Sequence, residues 1–303
     1  MDYYKAFEKC NLCIRRCNID RTKGKIGACN SSDKITAARA ELHFWEEPPI
    51  SLETGSGTVF FSNCNLKCVF CQNHEISQEH KGIEITTDRL SEIFLELQDK
   101  GANNINLVTP THYVPKIIEA IKKAKANGLT LPILYNTNGY DSLETIKMLD
   151  GFIDVYLPDF KYFDDKYAIK YSNAKGYKDN VIEILKEMFK QVGKNKFDSN
   201  GRMIKGIIVR HLMLPGLLFD SKKVIDCIYS MFGDNVYISI MNQYTPMFKA
   251  FEYKEISKPL NPKMYDSLIS YAAELGITNA FIQDTGSSTT DFVPDFNFQG
   301  LKK

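Results

Sequence analysis

Excess charge is the first thing this 303-residue sequence lacks: 38 Lys and Arg stand against 37 Asp and Glu, a formal net charge of +1. So even a balance gives no bulk attraction to nucleic acid or to an anionic membrane surface. Long apolar runs are missing as well. None approaches the ~18 residues of a membrane span, and the opening MDYYKAFEKCNLCIRRC has no apolar stretch of the secretory kind. A cytoplasmic setting is expected from this. Histidine is scarce, at five residues. No Ser-His-Asp set, GxSxG elbow or Walker-type Gly-rich loop can be read, which removes the commonest hydrolase and phosphate-transfer chemistries. The 44% of hydrophobic residues can nevertheless bury a large core.

What the sequence has is cysteine, unevenly placed. Seven of the eight fall in the first 71 residues: Cys10, Cys13, Cys17 and Cys29, then Cys64, Cys68 and Cys71. In a reducing compartment such clusters read as metal sites rather than disulfides. The eighth, Cys227, sits at helical spacing in KKVIDCIYSMF and is expected as a buried core thiol. The first group, Cys-x2-Cys-x3-Cys-x11-Cys, suits a tetrahedral zinc ion or an auxiliary iron–sulfur cluster, and its spacing does not separate the two. The basic residues Arg15, Arg16, Arg21, Lys23 and Lys25 read as a solvated face or as balance for a cluster's charge. Nucleic-acid contact is not expected of them.

After Gly55, β-like apolar runs alternate with amphipathic helical ones. Strands are expected near 57–63, 103–109, 131–137, 152–158, 206–212, 236–242 and 279–284. Between them lie helical stretches such as DRLSEIFLELQDKG, with Asp88 as N-cap, and VPKIIEAIKKAKANG, with Pro115 near its first turn. The polar segment 193–206 reads as a surface loop. Such alternation implies right-handed crossovers and a parallel sheet, in a complete or partial α/β barrel or a doubly wound sheet. Either architecture puts the site at the C-terminal ends of the strands. Residues 1–55 read as a Cys-rich N-terminal metal-binding module, 56–285 as the strand–helix domain, and 286–303 as an irregular tail.

The second cysteine group follows the first of these strands, in SNCNLKCVFCQN. Three thiolates in one loop hold three corners of a [4Fe–4S] cubane and leave its fourth iron open to another ligand. Zinc with His74 as fourth ligand is the plainer alternative. The segment CNLKCVFC resembles the signature of the radical S-adenosylmethionine (SAM) superfamily, Cys-x3-Cys-x-aromatic-Cys, with Phe70 at the aromatic position. Further segments, among them NINLVTPTHYVPKI, LPILYNTNGY, DVYLPDFKY and IIVRHLMLPG, are similar to the branch related to pyruvate formate-lyase activating enzymes. The resemblance covers roughly residues 10–285.

The resemblance implies a partial (β/α)6 TIM barrel and a [4Fe–4S] cluster on Cys64, Cys68 and Cys71, whose open iron is chelated by SAM. One-electron reduction of the cluster then cleaves SAM to methionine and a 5′-deoxyadenosyl radical, which abstracts hydrogen from a substrate. It further implies an electron donor such as flavodoxin or ferredoxin and, for an activase, a glycyl radical enzyme as partner. A small molecule, peptide or RNA is the alternative substrate, and a zinc-binding interaction module the non-enzymatic alternative.

Activating enzymes carry Gly-Gly-Glu after the second strand, where this chain has Thr109-Pro110-Thr111-His112. Contact to the SAM ammonium then falls to Thr109, Thr111 or main-chain carbonyls. Further expected cofactor contacts are Asn136 and Asn138 after the third strand, Asp159 and Lys161 after the fourth, and Arg210 after the fifth. A guanidinium suits the SAM carboxylate or ribose. His211, and after the sixth strand Asn242, Gln243 and Tyr244, are further strand-end candidates.

Overall fold

The structure is a computed structural model that describes residues 2–283 and 293–302. In chain order its strands are β1 (Ile35–His43), β2 (Ser56–Phe61), β3 (Ile83–Ile85), β4 (Ile105–Val108), β5 (Ile133–Thr137), β6 (Val155–Pro158), β7 (Lys196–Phe197), β8 (Met203–Leu212), β9 (Tyr237–Met241) and β10 (Ala280–Ile282). They form one sheet in the order β10-β9-β8-β6-β5-β4-β2-β1-β3, with β7 paired to β8. Every pairing from β2 through β10 along that path is parallel. This is the expected alternation, curled into an open barrel.

Two apolar cores follow from the period of two along each strand. One set of alternate residues, including Val59, Leu107, Ile133, Tyr135 and Val209, packs against the crossover helices. Those helices present apolar stripes at i, i+3 and i+4, such as Leu90, Ile93, Phe94 and Leu97 of Thr87–Asp99, or Ile117, Ile118 and Ile121 of Val114–Ala126. The other set, Leu134, Val155, Leu157 and Ile208, faces inward and packs on Ile50. Ile50 belongs to residues 44–51, which enter the barrel beside the start of β4: Asn104 Nδ2 donates to the Ile50 carbonyl at 2.8 Å. The barrel is therefore plugged from the N-terminal ends of its strands.

Four local expectations need amendment. The helix Thr87–Asp99 is capped by Thr86, whose hydroxyl accepts from the Arg89 amide at 3.0 Å. Asp88 lies in the first turn and pairs with Lys123 at 2.7 Å. Segment 193–206 is a hairpin, since β7 pairs antiparallel with β8 and Met203 is fully buried. Cys227 is half-buried on the helix Leu218–Phe232. Strand β1, within the segment read as the N-terminal module, pairs antiparallel with β2 in the main sheet.

Ahead of β1, the cysteine-bearing residues dock on the exit of β5 through a Cys13–Asp141 bridge and a Ser142 amide to Leu12 carbonyl bond of 3.1 Å. Residues 293–302 run beside β1, where the amides of Ala40 and Phe298 bond the carbonyls of Gln299 and Ala38. The expected strand end at Asp284 and the start of the tail at 286 lie outside the described residues. Among the described residues no helix is long and apolar enough to cross a membrane.

Candidate functional site

Strand β2 is buried along its whole length and delivers the chain into the three-cysteine loop at its C-terminal end. The loop is pinned at both ends. Asn63 takes a left-handed backbone (φ +73), which asparagine tolerates better than most residues, and its side chain bonds Tyr113 and His80. Further along, the amides of Lys67 and Val69 donate to the carbonyls of Ser172 and Tyr171. Each thiol sulfur also has a polar neighbour. Cys64 Sγ accepts from the Leu66 amide at 3.4 Å and from Asn138 Nδ2 at 3.3 Å. Cys68 Sγ accepts from Ser172 Oγ at 3.0 Å, and Cys71 Sγ lies 3.2 Å from Ser77 Oγ.

Burial, reinforced by the neighbouring Cys68 thiol, pushes Cys64 up to about 12 and Cys71 up to about 11. Burial raises Cys68 too, against the pull of Lys161. Three adjacent, partly buried thiols of this kind lose their protons to a soft metal rather than to water. The donor set fits a [4Fe–4S] cluster that needs three cysteinates. His74, the expected fourth ligand of a zinc alternative, turns elsewhere: its ring stacks on Phe248 at 4.8 Å and Nδ1 meets Glu79 at 3.1 Å.

Beside the loop lies a cavity of about 600 Å³ that Cys68, Phe70 and Cys71 wall on one side. Asn136, Asp159, Lys161 and Arg210 line it from the ends of β5, β6 and β8. These four act as one network. Arg210 Nε donates to Asp159 Oδ1 at 3.1 Å, another of its nitrogens donates to Asn136 Oδ1, and Lys161 Nζ meets Asp159 Oδ2 at 2.6 Å. Burial pushes Asp159 up, but Lys161 and Arg210 outweigh it and hold the carboxyl below its usual range.

Glu46 and Glu47, from the segment that plugs the barrel, complete the cavity floor. Glu46 pairs with Arg210 at 3.4 Å and accepts from Asn106 Nδ2 at 2.9 Å, while Glu47 Oε2 is buried without a hydrogen-bond partner. Burial raises both carboxyls, against the attraction of Arg210. Sequence reasoning passed over this pair; the signal was two adjacent acids set among aromatics and prolines in HFWEEPPIS.

The other expected residues are dispersed. Asn138 stands off the large cavity and serves Cys64. Thr111 is buried and lines a second cavity, formed with the N-terminal cysteines; Thr109, at φ +57, begins the turn that carries it there. Gln243 reaches the large cavity, where its carbonyl accepts from Gln72 and its side chain from Gln283. The Tyr244 ring packs edge-on to Phe70 at 5.9 Å. His211 turns away, donating Nδ1 to the Phe160 carbonyl at 2.7 Å.

Comparison with known proteins agrees with this geometry. The family model described as the radical SAM superfamily matches residues 58–217. An uncharacterized protein of Methanocaldococcus jannaschii is 29% identical over 283 residues, covering 89% of this chain and 76% of its own length. Among solved structures, Streptococcus suis SuiB bound to S-adenosylmethionine superposes with a TM-score of 0.54 at 14% identity, covering 75% of this chain and 50% of that one. SuiB bound to the precursor peptide SuiA gives 0.53 at 14% identity, covering 74% and 47%. The chain thus spans about half the length of SuiB. A methylornithine synthase, PylB, gives 0.50 at 14% identity, covering 83% and 65%. At such identities the likeness is one of fold.

Proposed function

Because the chain belongs to the radical SAM superfamily, of which the [4Fe–4S] cluster and SAM are the cofactors, we propose that it takes hydrogen from a protein-borne substrate, as an activase of a glycyl radical enzyme. The observation that carries this reading is the convergence of the Cys68 and Cys71 thiols and Phe70 on a 600 Å³ cavity edged by Asn136, Asp159, Lys161 and Arg210. When bound, the cluster supplies the electron that cleaves SAM to methionine and the hydrogen-abstracting 5′-deoxyadenosyl radical.

The chain's own residues bind and orient. Cys64, Cys68 and Cys71 hold the cluster, and Asn138, Ser172 and Ser77 steady their sulfurs. Arg210, fixed by Asp159 and Glu46, offers its guanidinium to the SAM carboxylate or ribose. With Thr109 and Thr111 off the cavity, Asn136 and Asp159 are the acceptors there for the ammonium and ribose hydroxyls. Phe70 walls the cavity beside the loop, and the buried Tyr244 ring packs edge-on behind it.

What supports a protein loop as substrate is the exposed apolar lining of the cavity. His43, which ends β1, and Phe44 and Trp45 beyond it line the cavity, as do Phe281, Ile282 and Gln283 at β10. Phe44, Trp45 and Ile282 are exposed. An electron donor of the flavodoxin or ferredoxin type completes the system.

Anaerobic reconstitution tests the reading. Reduced protein is expected to convert SAM to 5′-deoxyadenosine, and Cys64→Ala, Cys68→Ala or Cys71→Ala to abolish this. Full SAM cleavage by those variants overturns it. With deuterated candidate partners, label appearing in 5′-deoxyadenosine identifies the substrate. Label from a small molecule but from no protein rejects the activase role.

A further inference from the structure

Among the described residues, three carboxyls line the large cavity, Glu46, Glu47 and Asp159, and two cations face them, Lys161 and Arg210. His43 adds no charge at neutral pH, because burial lowers it to about 4. Both cations bind Asp159, and Arg210 also takes Glu46. Glu47 is the carboxyl left over. It forms no ion pair among the described residues, its Oε2 is buried without a hydrogen-bond partner, and the Ser239 hydroxyl stands beside it. A local role does not occupy it either. The turn Pro48–Ser51 is capped by the Glu47 main-chain carbonyl, which accepts from the Ile50 amide at 2.8 Å, while the side chain turns into the cavity. A carboxylate held in this way is costly to the fold unless a cation comes to it.

Depth separates this carboxyl from the cysteine loop. Glu46 bonds Asn106, and Ser239 stands beside Glu47; each of these partners is two residues short of the end of its strand, β4 and β9. Two residues of strand span roughly 6–7 Å. The cysteine loop leaves from the strand ends instead. SAM chelates the cluster's open iron there through its amino and carboxylate groups. Its sulfonium is only two methylenes from that chelating end, so SAM's own positive charge stays with the loop. Glu47 is left for the cation of another molecule. Met241, Phe281 and Ile282 give the cavity an apolar side for the stem of a long basic group.

We infer that Glu47, assisted by Ser239, anchors a positively charged nitrogen of the substrate, an ammonium or guanidinium, and so positions the hydrogen donor beneath the loop. The inference rests on the radical SAM reading above and names the chemistry of its substrate. In a protein loop the group is a lysine or arginine side chain close to the hydrogen given up. In a free substrate it is an amine.

The test uses the full chain, reconstituted anaerobically and loaded with SAM, and reads binding by isothermal titration. N-acetyl-lysinamide and pentylamine are the cationic probes, with N-acetyl-norleucinamide and pentanol as their uncharged counterparts. In at least one pair the cation should bind about tenfold or more tightly than its counterpart. A preference confined to the lysinamide pair assigns the group to a side chain, and one confined to pentylamine assigns it to a free amine. Glu47→Gln should remove the preference, and Glu47→Asp should keep part of it. Ser239→Ala should weaken the cation about two- to fivefold. Since Glu47 is buried and unpaired, Glu47→Gln should unfold at no lower urea concentration than the native chain. No preference for charge in the native chain, a preference that survives Glu47→Gln, or a lower urea midpoint in that variant overturns the proposal. Native chain that cleaves no SAM, with or without the probes, overturns the radical SAM reading instead.

Discussion

Asn138 donates its side-chain amide both to Cys64 Sγ, at 3.3 Å, and to Asn65 Oδ1, at 2.7 Å. The position is tightly set. Its own Oδ1 accepts from the Tyr140 amide at 3.0 Å, and Gly139 beyond it takes φ +79. A Cβ on Gly139 would lie 2.5 Å from the Asp159 carbonyl, so only glycine lets the β5 exit pack this closely on the β6 exit. The Asn-Gly pair is therefore a turn and a sulfur contact at once.

A donor to a ligating sulfur stabilises the more negative, reduced cluster. Asn138→Ala is expected to retain iron but to lower the midpoint potential of the SAM cluster. The rate of 5′-deoxyadenosine formation should fall about 10- to 100-fold, in line with the loss of an outer-shell partner. Redox-poised spectroscopy beside a single-turnover assay checks this. An unchanged potential shows that the contact is packing only.

His211 gives the fold an acid-side weakness. It is buried, Nδ1 donates to the Phe160 carbonyl, Nε2 has no partner, and burial lowers its pKa to about 4. The unfolded chain binds a proton near pH ~6.5, so stability falls as pH drops from there toward about 4. The slope expected from this residue is about 1.4 kcal/mol per pH unit within that window. Urea unfolding at pH 7 and pH 5 measures it. In His211→Gln the drop between the two should be smaller by that contribution, and an equal drop removes His211 as its source.

The parts legible in the sequence were those written in local spacing. The parallel strands follow short apolar runs, and the loop of Cys64, Cys68 and Cys71 follows the first of them, where a strand-end site belongs. What escaped depends on contacts far apart in the chain. Arg21 reads as one more surface base among Arg15, Lys23 and Lys25 until the fold buries it. Glu46 finds Arg210 at a separation of 164 residues. Thr109 and Thr111 obey the strand-end rule in sequence, but the left-handed turn at Thr109 carries Thr111 and His112 toward the N-terminal cysteines. One backbone angle undoes an inference drawn from register alone.

The network on Asp159 can be dissected by a double-mutant cycle. Asp159 bridges two cations, and both depend on it inside the barrel mouth. Asp159→Asn keeps the shape but leaves Arg210 with Glu46 alone and deprives Lys161 of its one ion-pair partner among the described residues. Breaking a buried pair from one side costs about 3–5 kcal/mol, most of it for the charge left behind. Urea denaturation at pH 7 should show a loss near the lower end of that range, because Glu46 still shares the guanidinium. Arg210→Met should cost a similar amount. The double variant should lose clearly less than the sum, by about 1–3 kcal/mol, since each single change strands the other's charge and the double removes both. Additive losses would mean that the two groups are stabilised independently, and that Arg210 owes its placement at the cavity to Glu46 and Asn136 rather than to Asp159.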